Sequence, residues 1–198
     1  HPQLLFYQLQ GDPQSPRPYL KDNKKLLELG CGNGRDSTFF GEGNTKLTVL
    51  AINQSEIAIE NLKKENHKNI TFIKDNFINS KIFETHKFDY VYSRFTLHSI
   101  TENEQEELLD NVSKVINKDG MLFIEARSVK DTIYGLGEQV GLNEYIYNEH
   151  YRRFIVLDEL INSIEKRGFK IIFGKQSDNW AIHGLENPIV IRVYAQKI

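Results

Sequence analysis

The sequence predicts an α/β fold in which helices cover both faces of a mostly parallel sheet. Short apolar runs rich in β-branched residues alternate with segments of helical periodicity along most of the chain, and this alternation is typical of repeated strand and helix units. The first apolar run, Lys25–Leu29, ends in a glycine-rich turn that leads directly into a helix start. Parallel strands bring their carboxyl ends to one edge of the sheet, so we expect the ligand site at that edge.

Length and composition predict one domain and disfavour binding to a highly charged partner. The 198 residues are 39% hydrophobic and 11% aromatic, which suffices for one substantial core but not for two ordinary domains. The formal charge is −2 and no Lys/Arg block is present. This balance disfavours a nucleic-acid or membrane-surface partner, although it leaves room for a local basic patch.

Cysteine usage and hydropathy exclude several further classes. The sequence has no apolar run long enough to span a bilayer and no signal-peptide pattern, so we expect a cytoplasmic location. The single cysteine, Cys31, excludes an internal disulfide and a multi-cysteine zinc site. It lies in the glycine-rich turn, where a small residue is needed, so a steric role is favoured over a nucleophilic one. No compact His/Asp/Glu cluster has recognisable ligand spacing, and we expect no metal.

The glycine-rich turn is the strongest local signal for a ligand. Glycine accepts backbone angles closed to other residues, so a bound molecule can lie against the main-chain amides of Gly30, Gly32 and Gly34. A phosphate-binding loop would continue with Lys-Ser or Lys-Thr, whereas this chain continues with Arg35 and Asp36. The dinucleotide fingerprint would need glycine or alanine at position 35. Both phosphate-binding interpretations are therefore disfavoured.

The turn has the form E-x-G-x-G-x-G, written here as Glu28-Leu29-Gly30-Cys31-Gly32-Asn33-Gly34. With this motif and the elements around it, the chain resembles the class I S-adenosylmethionine-dependent methyltransferases from about residue 24 to about residue 173, and nearly to the C-terminus with its last apolar run. The resemblance implies a three-layer αβα sandwich with a Rossmann-like, mostly parallel seven-stranded sheet and an antiparallel last strand. It also implies S-adenosylmethionine as cofactor and S-adenosylhomocysteine as product. We predict strands at 25–29, 46–52, 70–74, 88–93, 121–126, 169–173 and 189–195, and helices at 55–65, 101–117 and 157–167.

The resemblance assigns cofactor-binding roles along the carboxyl edge of the sheet. Asn53 stands where the family usually has an acidic residue that accepts hydrogen bonds from the ribose hydroxyls. An amide offers one acceptor and no charge, so this departure implies either weaker cofactor binding or an enzyme that has lost its activity. Asp75 matches an acidic residue that accepts from the adenine amino group, with a plain turn as the alternative. The other expected cofactor-binding residues are Glu28, Gly30, Cys31, Gly32, Gln54, Asn76, Ser93 and Tyr7.

The two chain segments outside this motif carry separate expectations. Residues 1–23 are proline-rich, and we expect an N-terminal arm whose aromatic residues pack on the domain or close over the cofactor as a lid. Residues 24–198 are expected to form the single methyltransferase domain. Within it, segment 128–155 lacks clear periodicity and falls where similar methyltransferases build the acceptor pocket.

Candidate catalytic and acceptor-binding residues follow the fourth and fifth strands. His98 ordinarily titrates near neutral pH and is a candidate general base, with a structural role as the equal alternative. Arg94 and Arg127 leave the sheet at the same edge, and arginine forks suit carboxylate and phosphate oxygens. Structural pairing of these arginines with nearby acidic residues is the alternative. The expected acceptor-binding residues of segment 128–155 are Tyr134, Tyr151, Arg152 and Arg153.

The sequence thus predicts a methyltransferase acting on a small anionic metabolite, which is phosphorylated, nucleotide-linked or sugar-derived. We expect methylation on oxygen, with surface polysaccharide biosynthesis as one setting. The first alternative is a non-catalytic scaffold or cofactor-binding subunit, motivated by Asn53. The second is an RNA or DNA methyltransferase, which would need a basic track.

Overall fold

The computed structural model describes residues 15–43 and 46–198. Tyr7, which we expected in a lid over the cofactor, lies outside the described residues. The described part begins with a 3-10 turn at Arg17–Tyr19 and then enters the first strand. No helix in this part combines the length and apolar character that crossing a bilayer requires.

A seven-stranded sheet forms the centre of the molecule. Its strands are β1 Lys25–Leu29, β2 Thr48–Asn53, β3 Ile70–Lys74, β4 Phe88–Arg94, β5 Ile116–Arg127, β9 Phe169–Ser177 and β10 Val190–Lys197. They lie in the order β3-β2-β1-β4-β5-β10-β9, and the first five strands in this order are mutually parallel. Strand β10 pairs antiparallel with both β5 and β9. The predicted Rossmann-like, mostly parallel sheet with an antiparallel last strand is therefore confirmed.

Helices cover both faces of this sheet. In the described residues they are α1 Arg35–Glu42, α2 Glu56–Lys63, α3 Ile82–Thr85, α4 Glu102–Val115 and α5 Leu157–Glu165. Successive residues of β1 face opposite sides, since Leu26 packs in one buried cluster with Phe40 of α1 and Leu27 packs in another with Leu109 of α4. A parallel sheet covered in this way is apolar on both faces, which explains the continuous apolar strands. The molecule is the expected three-layer αβα sandwich.

The start of α4 fixes the end of the loop that follows β4. The Glu104 backbone N–H donates to the Thr101 hydroxyl at 3.3 Å, and the Thr101 backbone N–H donates to the Glu104 carboxylate at 2.8 Å. This reciprocal pair is the capping box that the sequence predicts, and it satisfies two amide groups that a helix start leaves free. Residues 95–100 are thus held between the carboxyl end of β4 and a well-defined helix start.

Segment 128–155 forms a small antiparallel sheet instead of an irregular connection. Its strands are β6 Glu138–Gly141, β7 Glu144–Tyr147 and β8 His150–Arg153. Strands of four residues are too short to give a clear alternating pattern, and therefore the sequence did not predict them. The small sheet gives the side chains of β7 and β8 two defined faces.

Candidate functional site

The glycine turn between β1 and α1 uses most of its own amide groups. Gly30, Gly32 and Gly34 all have positive φ, at 71°, 54° and 74°. The N–H groups of Gly30 and Cys31 both donate to the Ile52 carbonyl at 2.9 Å, and the Gly34 N–H donates to the Cys31 carbonyl at 2.9 Å. Of the three glycine amides expected to face a ligand, only that of Gly32 has no hydrogen-bond partner in the described part of the chain. The expectation is corrected for Gly30 and Gly34, whose amides hold the turn itself.

Of the three glycines in the turn, only Gly32 has open space at the position that a Cβ would occupy. A Cβ on Gly30 would collide with the Cγ2 atom of Thr96, and one on Gly34 would collide with Leu62, whereas a Cβ on Gly32 would meet nothing within 4 Å. A cavity of about 260 Å³ opens at this point. Its walls are the turn 30–33 with Glu28, Arg35, Asp36, Arg94 and Phe95.

Two buried acids lie beneath the turn. Glu28 is 3% exposed and accepts a hydrogen bond from the Ser37 hydroxyl. Burial and then the neighbouring Asp36 carboxylate raise the pKa of Glu28 well above its ordinary value. Burial and then Glu28 raise the pKa of the Cys31 thiol to about 12. A thiol held protonated in this way is a poor nucleophile, which supports the steric role expected for Cys31.

Asn53 lies at the end of β2 with its single side-chain acceptor already engaged. Its Oδ1 accepts the Ser55 backbone N–H at 2.8 Å, and its backbone carbonyl accepts the Asp75 N–H at 3.1 Å. The side chain therefore shapes the turn into α2. It retains its Nδ2 group as a donor, whereas the family's acidic residue would offer acceptors at this position.

The loop after β3 is likewise held by its own side chains. Asp75 accepts the Asn76 N–H at 2.8 Å through one oxygen and the Ser80 hydroxyl at 2.5 Å through the other. Gln54 Nε2 donates to Asn76 Oδ1 at 3.1 Å and connects this loop to the one after β2. The structure brings Gln54, Asp75 and Asn76 together at the carboxyl edge, where the sequence predicted them. Their hydrogen bonds also support the turn interpretation of Asp75.

Ser93, expected to contact the cofactor, pairs with a neighbour in its own loop. It is 2% exposed, and its hydroxyl shares a hydrogen bond with the Thr96 hydroxyl. Thr96 in turn places its methyl group against Gly30. Ser93 therefore supports the glycine turn through Thr96.

Arg94 forms buried ion pairs on the sheet side of the cavity. Its Nε donates to Glu125 at 2.7 Å, and one terminal nitrogen lies 3.4 Å from Asp36. Burial acts to lower the pKa of the guanidinium, but Glu125, Tyr92 and Asp36 together outweigh burial and the net pKa is raised. Glu125 also accepts from Arg192 Nε at 2.6 Å. Both sides of the Arg94 guanidinium are thus engaged in structural pairs, and its expected catalytic role stays a prediction.

Phe95 is a site residue that the sequence analysis missed. It has a φ of 55°, a conformation that a bulky side chain rarely adopts. Its ring centroid lies 5.2 Å from the Arg94 guanidinium carbon and 5.9 Å from that of Arg127, and the His98 ring packs edge-on against it at 5.6 Å. Its place directly after β4 was the available sequence signal, but its backbone conformation could not be read from the residue type. Backbone strain of this kind is often found at functional sites.

His98 is half-buried beside three arginines. Burial, then Arg127, Arg152 and Arg153, lower the pKa of His98 to about 4. Its Nδ1 atom is buried and has no hydrogen-bond partner among the described residues. The imidazole is therefore neutral at neutral pH and is a weaker base than the sequence implies.

A second cavity, of about 320 Å³, lies beside Arg127. The guanidinium of Arg127 pairs with Asp131 at 3.0 Å and with Glu186 at 3.2 Å. Arg152 lines the same cavity without an ion pair to any described residue, and its Nε is buried without a hydrogen-bond partner there. The structure thus brings Arg127 and Arg152 together, as the sequence predicted.

The two faces of the small sheet separate Arg152 from Tyr151 and Arg153. Arg152 pairs across the strands with Tyr145, whereas Tyr151 pairs with Ile146 on the opposite face. Burial and then Glu144 raise the pKa of Tyr151 to about 12. Tyr151 thus lies on the face that carries Glu144, and its assignment to acceptor binding stays a prediction.

Arg153 and Tyr134 have partners within the protein. Arg153 is buried, with its Nε donating to the Ile100 carbonyl at 2.8 Å and a terminal nitrogen donating to Gln105 at 2.7 Å. The Tyr134 hydroxyl donates to Asn143 at 2.9 Å. Both residues were expected to bind the acceptor; neither lines the cavity beside Arg127, and their acceptor role stays a prediction.

Comparison with known proteins shows the family of this chain. A family model described as a methyltransferase domain matches residues 20–171. The chain belongs to this family. The methyltransferase is 24% identical over 159 residues to an uncharacterized methyltransferase of Oceanobacillus iheyensis, an alignment that covers 78% of this chain and 73% of that protein.

Solved structures share the fold of the methyltransferase. An S-adenosylmethionine-dependent methyltransferase from Methanosarcina mazei superposes with a TM-score of 0.77 at 16% identity, covering 92% of this chain and 96% of that one. The 1,6-didemethyltoxoflavin-N1-methyltransferase of Burkholderia thailandensis, solved with its acceptor and S-adenosylhomocysteine, superposes with a TM-score of 0.70 at 15% identity and covers 92% and 74%. The family match identifies the protein as a methyltransferase, and these structures show that it has the fold of S-adenosylmethionine-dependent methyltransferases.

The glycine turn fits the cofactor. S-adenosylmethionine needs an open approach to the main chain, and Gly32 provides both a free N–H and a position where a Cβ would enter empty space. The adjoining cavity of about 260 Å³ lies between this turn and Phe95. The residues present at the carboxyl edge are therefore compatible with the cofactor of the family.

Proposed function

We propose that the methyltransferase methylates an oxygen atom of a small anionic metabolite. The observation that carries this proposal is the cavity containing Arg127 and Arg152. The Phe95 ring, which lines the cavity of the glycine turn, has its centroid 5.9 Å from the Arg127 guanidinium carbon. Guanidinium groups are well suited to carboxylate and phosphate oxygens. Phosphorylated, nucleotide-linked and sugar-derived acceptors, including precursors of surface polysaccharides, belong to this chemical class.

The residues of the glycine turn are proposed to hold the cofactor. Gly32 N–H and Asn53 Nδ2 are its proposed donors among the described residues, and Glu28 accepts a hydrogen bond from Ser37 beside the turn. When bound, S-adenosylmethionine supplies a methyl group on a positively charged sulfur, which makes the methyl group electrophilic. The protein then contributes mainly alignment and exclusion of water, which can lower a barrier by about 7–11 kcal/mol in favourable cases.

His98 and Phe95 are proposed to align the acceptor between the two cavities. The Phe95 ring lies beside Arg127 and forms a wall of the cofactor cavity, so it can limit the access of water to the reacting atoms. The Nδ1 atom of His98, which has no hydrogen-bond partner among the described residues, is the proposed contact to an acceptor hydroxyl. An acceptor oxygen that is already anionic needs no base, and a weakly basic imidazole is then sufficient.

A metabolite screen tests this proposal. The full chain is incubated with S-adenosylmethionine and separate pools of phosphorylated metabolites, nucleotide sugars, carboxylic acids and uncharged alcohols, and products are detected by a mass gain of one methylene unit. We expect methylated products from anionic pools only. Methylation restricted to uncharged alcohols, or methylation on nitrogen, would contradict the proposal.

A non-catalytic cofactor-binding subunit is the second candidate, favoured by the engaged acceptor of Asn53. Calorimetry with S-adenosylmethionine and S-adenosylhomocysteine separates the two. Binding of both ligands with turnover on an anionic pool supports the enzyme. Binding without turnover on any pool supports the second candidate.

A further inference from the structure

Glu186 is a carboxylate of the protein that already lies in the proposed acceptor cavity. It belongs to the connection between β9 and β10, and its side chain is 71% exposed. Its contact with Arg127 is an ion pair of 3.2 Å, at the mouth of the cavity that Arg152 also lines. An exposed glutamate in front of a buried arginine can leave at low cost, because its charge is readily solvated by water.

The other partner of Arg127 is fixed. The Asp131 side chain is fully buried, bonds the Arg127 guanidinium at 3.0 Å and accepts the Ile133 backbone N–H at 3.1 Å. Displacing it would leave a buried charge without a partner, which is strongly unfavourable. Arg127 thus has one permanent carboxylate and one exchangeable carboxylate.

The charge count of the cavity favours an incoming ligand with a single negative charge. Arg127 and Arg152 contribute two positive charges, whereas Asp131 and Glu186 contribute two negative charges. If Glu186 leaves, a monoanion restores neutrality and a dianion leaves an excess negative charge. The cavity also has apolar walls from Ile133, Leu185 and Pro188, which suit a compact organic body at the lower end of small-molecule pocket sizes.

We infer that the acceptor carries a carboxylate, and that this carboxylate binds between Arg127 and Arg152 in the place of the Glu186 side chain. The inference rests on the proposed function and narrows its anionic acceptors to carboxylic acids. Glu186 keeps the arginine paired in the free protein, and the acceptor exchanges with it. Phosphate monoesters share the chemistry of anion recognition, but their second charge has no counterpart once Arg127 and Arg152 are satisfied.

A titration followed at the arginine side chains tests the inference. The ¹⁵N-labelled full chain is titrated with sodium benzoate, a simple aromatic monocarboxylate, and separately with inorganic phosphate at constant ionic strength. The Nε–H signals of Arg127 and Arg152 are assigned from single Arg→Lys variants. We expect benzoate to shift both signals with saturation and phosphate to bind more weakly.

The variant Glu186→Gln gives the decisive comparison. It removes the internal competitor, so the dissociation constant for benzoate should fall by at least about fivefold. Glu165→Gln, which alters an exposed glutamate near the end of α5, is the matched control and should leave that constant unchanged. An unchanged or weaker benzoate affinity in the Glu186 variant, no shift at Arg152, or tighter binding of phosphate would overturn the inference.

Calorimetry with S-adenosylmethionine on the same samples separates this inference from the proposed function. If the cofactor binds but benzoate does not, the carboxylate site is wrong while the methyltransferase assignment stands. If benzoate binds as expected and no anionic metabolite is methylated, the proposed acceptor class is wrong while the carboxylate site stands.

Discussion

Arg94 Nε donates to Glu125 at 2.7 Å, and both side chains are almost entirely buried. The same guanidinium reaches Asp36 in the first turn of α1, so this arginine connects the end of β4 to the helix that follows the glycine turn. Arg94 thereby supports the cofactor site through the backbone, although it leaves the sheet at the edge where an acceptor would bind.

Replacing Arg94 with methionine should destabilise the protein by about 3 kcal/mol, because the buried carboxylates of Glu125 and Asp36 both lose a cationic partner. Among the described residues, Asp36 then keeps only the Arg35 side chain as a cationic partner, at 3.6 Å. The measurement is the free energy of unfolding in urea. Lys74→Met, which breaks the exposed ion pair with Glu56, is the control and should cost less than about 1 kcal/mol. Equal losses of unfolding free energy in the two variants would contradict the prediction that the buried Arg94 ion pairs stabilise the protein more than the exposed pair does.

Two alanine substitutions in the glycine turn should have different consequences. Gly30→Ala collides with Thr96, so it should lower both the melting temperature and cofactor affinity. Gly32→Ala meets no atom within 4 Å and carries only the backbone strain of its positive φ, about 1–2 kcal/mol. Its new methyl group enters the cavity, and calorimetry should show cofactor affinity reduced more than stability. Normal cofactor binding by Gly32→Ala would argue against the proposed location of the cofactor.

His98 should give the protein a characteristic loss of stability in mild acid. Its pKa of about 4 in the folded state lies below the ordinary value of 6.5, so the unfolded state takes up the proton first as the pH falls. The free energy of unfolding should therefore decrease from about pH 6.5 to about pH 4, by at most about 3 kcal/mol. His98→Asn should remove this part of the slope in urea denaturation series at several pH values. His86→Asn, an exposed histidine, is the control.

The adjacent arginines of β8 should separate binding from stability. Arg153→Met removes donors to the Ile100 carbonyl and Gln105 in a buried position, and we expect a loss of about 2–3 kcal/mol in unfolding free energy. Arg152→Met should change stability by less than about 1 kcal/mol, because this side chain makes no ion pair with the described residues, and should abolish the benzoate response. A large loss of stability in Arg152→Met, with loss of benzoate binding in Arg153→Met, would contradict the register of the small sheet.

Asn53→Asp should strengthen cofactor binding. The aspartate retains an oxygen for the Ser55 N–H and adds a charged acceptor for the ribose hydroxyls. Hydrogen bonds to a charged group contribute about 1.5–3 kcal/mol, so the dissociation constant measured by calorimetry should fall about tenfold or more. Asn61→Asp on the exposed side of α2 controls for the added charge. No gain in affinity would remove Asn53 from the ribose site.

The sequence predicted the fold correctly where hydrophobic periodicity and the residues at element ends indicate the same structure. Strand β3 has the predicted bounds, Ile70–Lys74, and the capping box of Thr101 predicts the start of α4 correctly. Strand β5 begins at Ile116, earlier than the predicted residue 121, and Asp119, with a φ of 63°, is a local irregularity within this longer strand. The helix Ile82–Thr85 was not predicted, because a single turn is too short to show helical periodicity.

For the site, the sequence predicted which residues reach the carboxyl edge but not how they face. Arg127 and Arg152 line a common cavity as expected, whereas Arg94 and Arg153 point into structural pairs. The side chain of Phe95 could not be assigned, because its importance comes from a backbone conformation that residue type does not predict. Orientation depends on register and on tertiary partners, and neither can be read from the type and spacing of these residues.

The turn at Asn148 and Glu149, which joins β7 to β8, has consequences for how acceptor choice can evolve. Both residues have positive φ, and the turn holds β8 in its pairing with β7. Inserting or deleting a single residue there would shift the register of β8 by one residue and move each of its side chains to the opposite face of the small sheet. Arg152 would then be directed toward α4 and Arg153 toward the acceptor, with Gln105 losing its partner. An insertion or deletion in this turn would therefore change the packing of β8 as well as the acceptor cavity. Point substitutions on the β9–β10 connection would change the acceptor cavity without altering that packing.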